Sequence, residues 1–126
     1  MTELTKVLYA EDEADIREIA TLALETFGEL ETATCESGVY VIDLAMTFQP
    51  QLILLDVMMP DMDGPTTLQA LKAHPQLKHI PVIFLTAKIL PDEITRFKSL
   101  GAIDVISKPF DPMTLADQIK QIWAQL

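Results

Sequence analysis

Leu52-Ile53-Leu54-Leu55-Asp56, followed by Val57-Met58-Met59-Pro60-Asp61-Met62-Asp63-Gly64, is the stretch on which the fold turns. Consecutive large aliphatic residues read as a strand buried on both faces, as the centre of a parallel sheet requires. The run then stops on a carboxylate. An isolated charge is costly to bury, and the carboxyl ends of strands in open α/β sheets are where ligands bind. Two other runs have the same form. Val7-Leu8-Tyr9-Ala10 ends on Glu11 and Asp12, and Val82-Ile83-Phe84-Leu85 ends on Thr86.

Working outward, five apolar runs alternate with segments of helical periodicity, the signature of parallel βα units with helices on both sheet faces. Glu29-Leu30-Glu31-Thr32-Ala33-Thr34 alternates polar with apolar residues, and Asp104 interrupts Ile103-Asp104-Val105-Ile106-Ser107, so the second and fifth strands belong at the edges. The expected fold is an α/β, doubly wound (βα)5 sandwich with strand order 2-1-3-4-5. Its switch point lies between the ends of strands one and three, where Asp12 and Asp56 fall. Ile16, Ile19, Ala20, Ala23, Leu24 and Phe27 are expected on the inner face of the first helix, with Gly28 as its left-handed stop. Ser37 is expected to cap a second helix carrying Val41, Ile42, Leu44 and Ala45 and ended by Pro50. A third runs from near Gly64 to before Pro75, and Pro91 opens a fourth that Gly101 follows. Asp111 and Pro112 open the fifth, with Leu115, Ile119, Ile122 and Trp123 facing inward.

The 126 residues are read as one domain, 1–126, able to bury roughly two-thirds of its unfolded surface. A formal charge of −10 argues against direct nucleic-acid or anionic-membrane binding, which relies on Lys and Arg displacing counterions. Met1-Thr2-Glu3-Leu4-Thr5-Lys6 lacks the basic and apolar regions of a signal peptide, and no apolar run is long enough to span a bilayer, so a cytoplasmic protein is expected. Cys35 is the single cysteine, which leaves a packed thiol as its expected role. His74 and His79 sit in a polar loop and are expected to be solvated.

Asp56 can be read as a cap for the loop that follows it or as a nucleophile for a phosphoryl group. Glu11 and Asp12 alone read as a solvated acidic turn. Brought to one rim with Asp56 they form a hard oxygen site suited to Mg²⁺. Such a cluster repels itself, by about 4 kcal/mol for two unit charges 4 Å apart at an effective dielectric near 20. A cation must answer it, and Lys108, just past the fifth strand, is the candidate.

This set of an acidic pair, a lone Asp, a hydroxyl and a lysine at strand ends, together with the Asp56, Met59, Pro60, Asp63, Gly64 spacing and Lys108-Pro109-Phe110, resembles the receiver domain of two-component response regulators. The resemblance spans nearly the whole chain and implies a flavodoxin-like sandwich. It implies that Asp56 accepts a phosphoryl group from a sensor histidine kinase or a histidine phosphotransfer protein. Asp12, Asp56 and the Met58 carbonyl would ligate Mg²⁺, with Glu11 acting through water. Lys108, aimed inward by a cis Lys108-Pro109 bond, and the Thr86 hydroxyl would bind the phosphoryl oxygens, with Ala87 leaving the entrance open. Phosphorylation would then alter a surface read by a downstream protein, the chain acting as a monomer or weak dimer.

Val105 stands where the family commonly has a switching aromatic, so the output face is expected to move less, to use different residues, or to respond through Lys88, Ile89 and Leu90. Met58 and Lys88 flank the acceptor and threonine, and slow self-dephosphorylation is expected. Rival functions fit less well. There is no Gly-rich phosphate loop after the first strand for a nucleotide hydrolase. Glu11-Asp12-Glu13-Ala14 does not provide the paired aspartates of a haloacid dehalogenase phosphatase, and flavin-binding aromatics are lacking. A degenerate receiver, folded alike but binding partners without phosphorylation, is the alternative that remains.

Overall fold

The structure, a computed structural model, describes residues 2–87 and 89–126. Lys88, expected to flank Thr86 and to take part in the output face, lies outside the described residues. The elements run β1 (Lys6–Ala10), α1 (Ala14–Thr26), β2 (Glu31–Cys35), a 3-10 turn (Gly38–Tyr40), α2 (Val41–Phe48) and β3 (Leu52–Asp56). They continue with α3 (Gly64–Ala73), β4 (Val82–Thr86), α4 (Pro91–Leu100), β5 (Asp104–Ser107) and α5 (Leu115–Ala124).

All strand pairs are parallel and the order is β2-β1-β3-β4-β5, as the polar content of β2 and β5 required. The pleat divides the central strands between two core layers. Leu8, Ile53, Leu55, Val82 and Phe84 pack on one face with residues of α2, α3 and α4, where Phe84 meets Phe97 edge to face at 5.0 Å. Val7, Tyr9, Leu52, Leu54, Ile83 and Leu85 pack on the other with Ala20 and Leu24 of α1 and Leu115 and Ile119 of α5. Burial on both faces is what makes β3 and β4 uniformly apolar. No helix among the described residues is long and apolar enough to cross a membrane.

Helix ends depart from the sequence expectations in three places. Gly28 does not adopt the left-handed conformation; Glu29 does, at φ 55°. A Cβ on residue 28 would stand 2.6 Å from the Leu24 carbonyl and 2.7 Å from the Ala116 side chain, so glycine is needed there for close approach. The fifth helix starts at Leu115, because residues 112–114 form a turn in which the Asp111 carboxylate accepts the Met113 N–H and its carbonyl accepts Thr114 N–H and Leu115 N–H. The Ser37 hydroxyl caps the 3-10 turn that leads into α2, and left-handed Gln49 ends α2 ahead of Pro50. Ile19 and Phe27, expected inward on α1, are exposed; Ala20, Ala23 and Leu24 form its buried face. Trp123 is half-buried against the α1/α5 layer and its indole N–H donates to the Thr2 carbonyl at 2.8 Å. Cys35 is half-buried against the opposite layer.

Candidate functional site

Strand register decides which side chains meet at the rim. Ala10 pairs with Leu55 and with Cys35, so the next residues, Glu11 and Asp56, emerge side by side. By the period of two, Glu11 shares a sheet face with Val7 and Tyr9, and Asp56 shares that face with Leu52 and Leu54. On β5, Ile106 belongs to the same layer, which puts Lys108 on that side too. The ladder reaches one step past β5, where the Lys108 N–H donates to the Thr86 carbonyl at 2.9 Å, and the Lys108-Pro109 bond is cis.

There the Lys108 ammonium bridges two buried carboxylates, donating to Glu11 Oε1 at 2.8 Å and to Asp56 Oδ2 at 3.1 Å. Glu11 is 0% exposed, and it also accepts from the Tyr9 hydroxyl, 3.0 Å from Oε1, and from the Glu13 N–H, 3.2 Å from Oε2. Asp12 is exposed beside them, and one carboxylate oxygen from each of Glu11, Asp12 and Asp56 lies within 4.8 Å of the others. This hard, all-oxygen donor set fits a small divalent cation that keeps some of its water. Asp12 faces solvent, whereas both Glu11 oxygens already accept bonds from the protein.

The electrostatics follow from burial and proximity. Burial and the adjoining Glu11 carboxylate push Asp56 from 3.8 up to about 7, against the pull of Lys108. Burial also pushes Glu11 upward, but the hydrogen bond from Lys108 and those from Asp56 and Glu13 outweigh it and hold Glu11 below its ordinary value. For Lys108 the two carboxylates overcome desolvation and raise it. The site therefore carries negative charge that a lysine offsets in part, and it is poised for a second cation.

The loop after Asp56 is held by groups whose sequence signals are local. Asp63 caps α3, accepting the Thr66 N–H at 2.8 Å, and the Gly64 N–H donates to the Val57 carbonyl at 2.9 Å. A Cβ on Gly64 would stand 2.6 Å from the Asp56 carbonyl oxygen and 2.9 Å from Val57 Cα, so the Asp-Gly pair lets α3 start directly against Asp56. Ser37 pins the same loop, donating its hydroxyl to the Pro60 carbonyl at 3.0 Å. Arg17 of α1 donates to the carbonyls of Glu11 at 2.7 Å and Asp12 at 3.2 Å, fixing the acidic turn.

Tyr9, Arg17 and Ser37 were not among the sequence candidates. Tyr9 carries a usable signal, since it stands two residues before Glu11 and a strand puts i and i+2 on one face. Arg17, in the helix directly following the acids, carries a weaker one. Ser37 has none, because its Pro60 contact depends on how β2 and β3 are placed.

Thr86 is buried at the end of β4, paired in register with Ser107. The Met58 side chain is 76% exposed. Val105 is half-buried against the α2–α4 layer, and Ile89 and Leu90 are exposed ahead of α4. His79 is exposed and His74 half-buried, in the turn that leads to the amino end of β4.

Residues 7–120 match the family model described as the response regulator receiver domain. The chain belongs to this family. Curated relatives of this receiver include the response regulator Rre1 of Synechocystis, 30% identical over 99% of this chain and 54% of that protein. The phosphate regulon transcriptional regulatory protein PhoB of Pseudomonas aeruginosa is 36% identical over 92% of this chain and 50% of its own length. The receiver thus spans about half the length of these relatives. Among solved structures, the chemotaxis response regulator CheY4 of Vibrio cholerae superposes with a TM-score of 0.86 at 28% identity, covering 94% of this chain and 98% of that one. The fold and membership in two-component signalling expected from the sequence are both met.

Proposed function

We propose that this receiver accepts a phosphoryl group on Asp56 from a phosphohistidine of a sensor kinase or phosphotransfer protein, and thereby changes the surface it offers a downstream protein. The observation that carries this reading is the pair of contacts from Lys108 to Asp56 and Glu11, with Asp12 at the open side of the cluster. An Asp56 carboxylate oxygen forms the bond to phosphorus while the phosphorus–nitrogen bond breaks, its electron pair leaving with the imidazole. Mg²⁺, held by Asp12, Asp56 and the Met58 carbonyl with Glu11 reaching it through water, would supply neutralisation of the acids and of the transferring phosphoryl oxygens. Lys108, within hydrogen-bond distance of Asp56, is placed to follow the charge as it moves onto the phosphoryl group. Thr86, at the end of the neighbouring strand, is read as the hydroxyl that binds a phosphoryl oxygen.

Donor access is supported by an apolar groove of about 140 Å³ beside Lys108, lined by Ile16, Ile19, Pro109, Phe110 and Pro112. The exposure of Ile19, unexplained by core packing, suits a face covered by the phosphohistidine-bearing partner. Exposed Ile89 and Leu90 are assigned to the output side. With Val105 in place of an aromatic ring, movement there is carried by the loop after β4. The net charge of −10 favours protein partners over direct nucleic-acid contact, and we read the protein as cytoplasmic and as a monomer or weak dimer.

The test is incubation with acetyl phosphate and Mg²⁺ followed by intact-mass measurement. The parent protein is expected to gain one phosphoryl group and Asp56→Asn none. No gain by the parent would leave a receiver fold acting as a phosphorylation-independent binding module.

A further inference from the structure

The phenol ring of Tyr9 is fully buried in the layer beneath α1 and α5, a setting that asks for a ring but not for a hydroxyl. Yet that hydroxyl donates to Glu11 Oε1 at 3.0 Å, the same oxygen that accepts from Lys108 at 2.8 Å. Among the described residues no buried side-chain nitrogen or oxygen lacks a partner. Any event that draws Lys108 away from Glu11 takes the cation from a carboxylate that has no exposed surface, and leaves its charge to the donors that remain.

We propose that Tyr9 is a positioning residue for phosphoryl acceptance: its hydroxyl keeps Glu11 Oε1 hydrogen-bonded, so that Lys108 can shift from Glu11 to the phosphoryl group without stranding a buried carboxylate. The inference rests on Asp56 being the acceptor. Lys108 already touches both acids, so its transfer is a short movement between oxygens, and Tyr9 decides what that movement costs. With phenylalanine at position 9, Oε1 would lose its neutral donor and lean more on Lys108. The ammonium would then be held on Glu11, and any anionic group on Asp56 would bind less well.

The test compares Tyr9→Phe, Glu11→Gln and the double variant for binding of beryllofluoride, a phosphoryl analogue, in the presence of Mg²⁺, followed by fluorine NMR. Manganese binding without beryllofluoride, followed by electron paramagnetic resonance, is the control. Tyr9→Phe is expected to weaken beryllofluoride binding about tenfold, the scale of one hydrogen bond to a charged group. Manganese affinity should stay within about twofold, since a neutral donor is removed and the three carboxylates stay. In the Glu11→Gln background the effect of Tyr9→Phe is expected to fall below about twofold, because the buried charge that Tyr9 serves is gone. Equal losses in both backgrounds, or no loss in either, overturn the inference while leaving Asp56 as acceptor. A parent protein that neither binds beryllofluoride nor takes a phosphoryl group from acetyl phosphate overturns the acceptor reading and this inference together.

Discussion

Replacing Asp56 by asparagine should stabilise the metal-free protein, and the gain should grow with pH. Folding brings the Asp56 carboxyl beside buried Glu11 and lifts it from 3.8 to about 7. Between those values the folded chain holds a proton that the unfolded chain has released, so ionising Asp56 subtracts from stability as pH rises through this window. Below pH 3.8 the penalty is absent, and above about 7 it is complete. The full shift corresponds to about 4 kcal/mol at about 1.4 kcal/mol per unit. Water at the open rim and the flexible lysine reduce this by about half, to about 2 kcal/mol. Asparagine keeps the shape and removes the charge, so its urea midpoint in EDTA should exceed that of the parent by about 1 M at pH 8 and by little at pH 4. Circular dichroism during urea titration at several pH values measures this directly. Saturating Mg²⁺ should narrow the difference at pH 8, because the cation stabilises the parent more than the variant. A variant that is less stable than the parent at pH 8, or whose advantage does not change between pH 4 and 8, would mean that ionised Asp56 carries no penalty in the folded protein.

Lys108→Ala should have the opposite sign, destabilising the protein by about 3 kcal/mol near neutrality in urea titrations, because it leaves buried Glu11 without its cation. Folding raises Lys108 and lowers Glu11, so the contribution of this pair should persist up to pH 10.5 and disappear as pH rises further. It should also fade as pH falls below 4.5, as Glu11 takes up a proton. The same variant should slow phosphorylation by acetyl phosphate about 100-fold, read by intact mass against time. Gly64→Ala should cost about 1–3 kcal/mol in thermal or urea unfolding, since the new Cβ meets the Asp56 carbonyl oxygen at 2.6 Å and the backbone must shift. The aspartyl phosphate should be long-lived, with exposed, apolar Met58 offering no group to orient water. Loss of the phosphoryl group within seconds in a time course would contradict this.

Much of the fold was legible because burial leaves a direct trace in residue type. Leu52–Leu55 and Val82–Leu85 read as central strands since both of their faces must be apolar, whereas Glu31 and Asp104 cannot occupy a doubly covered strand. Asp63 and Gly64 were legible as part of a spacing, and their physical reasons, a helix cap and a close backbone approach, came only with the structure. Contacts that depend on a residue's partner across the sheet were less visible. That Lys108 answers the acids was legible; that its shorter contact is to Glu11, 97 residues away in sequence, and its longer one to Asp56 came only with the structure. Tyr9 was passed over because hydropathy does not tell a buried tyrosine ring from a buried leucine, although its place two residues before Glu11 puts both on one sheet face. The start of α5 was misplaced by the same kind of ambiguity: Asp-Pro opens a turn as readily as a helix, and here Asp111 bonds the turn.

Phosphoryl acceptance requires one atom, an oxygen of Asp56, to become bonded to phosphorus. Treating the protein with acetyl phosphate and Mg²⁺, reducing it with borohydride and mapping its peptides by mass spectrometry locates that bond, since reduction converts an aspartyl phosphate to homoserine. The predicted result is homoserine at position 56 and at no other aspartate, with no glutamate reduced to its alcohol. Conversion at Asp12 or elsewhere, or none at position 56 in a protein that has gained a phosphoryl group, would contradict it.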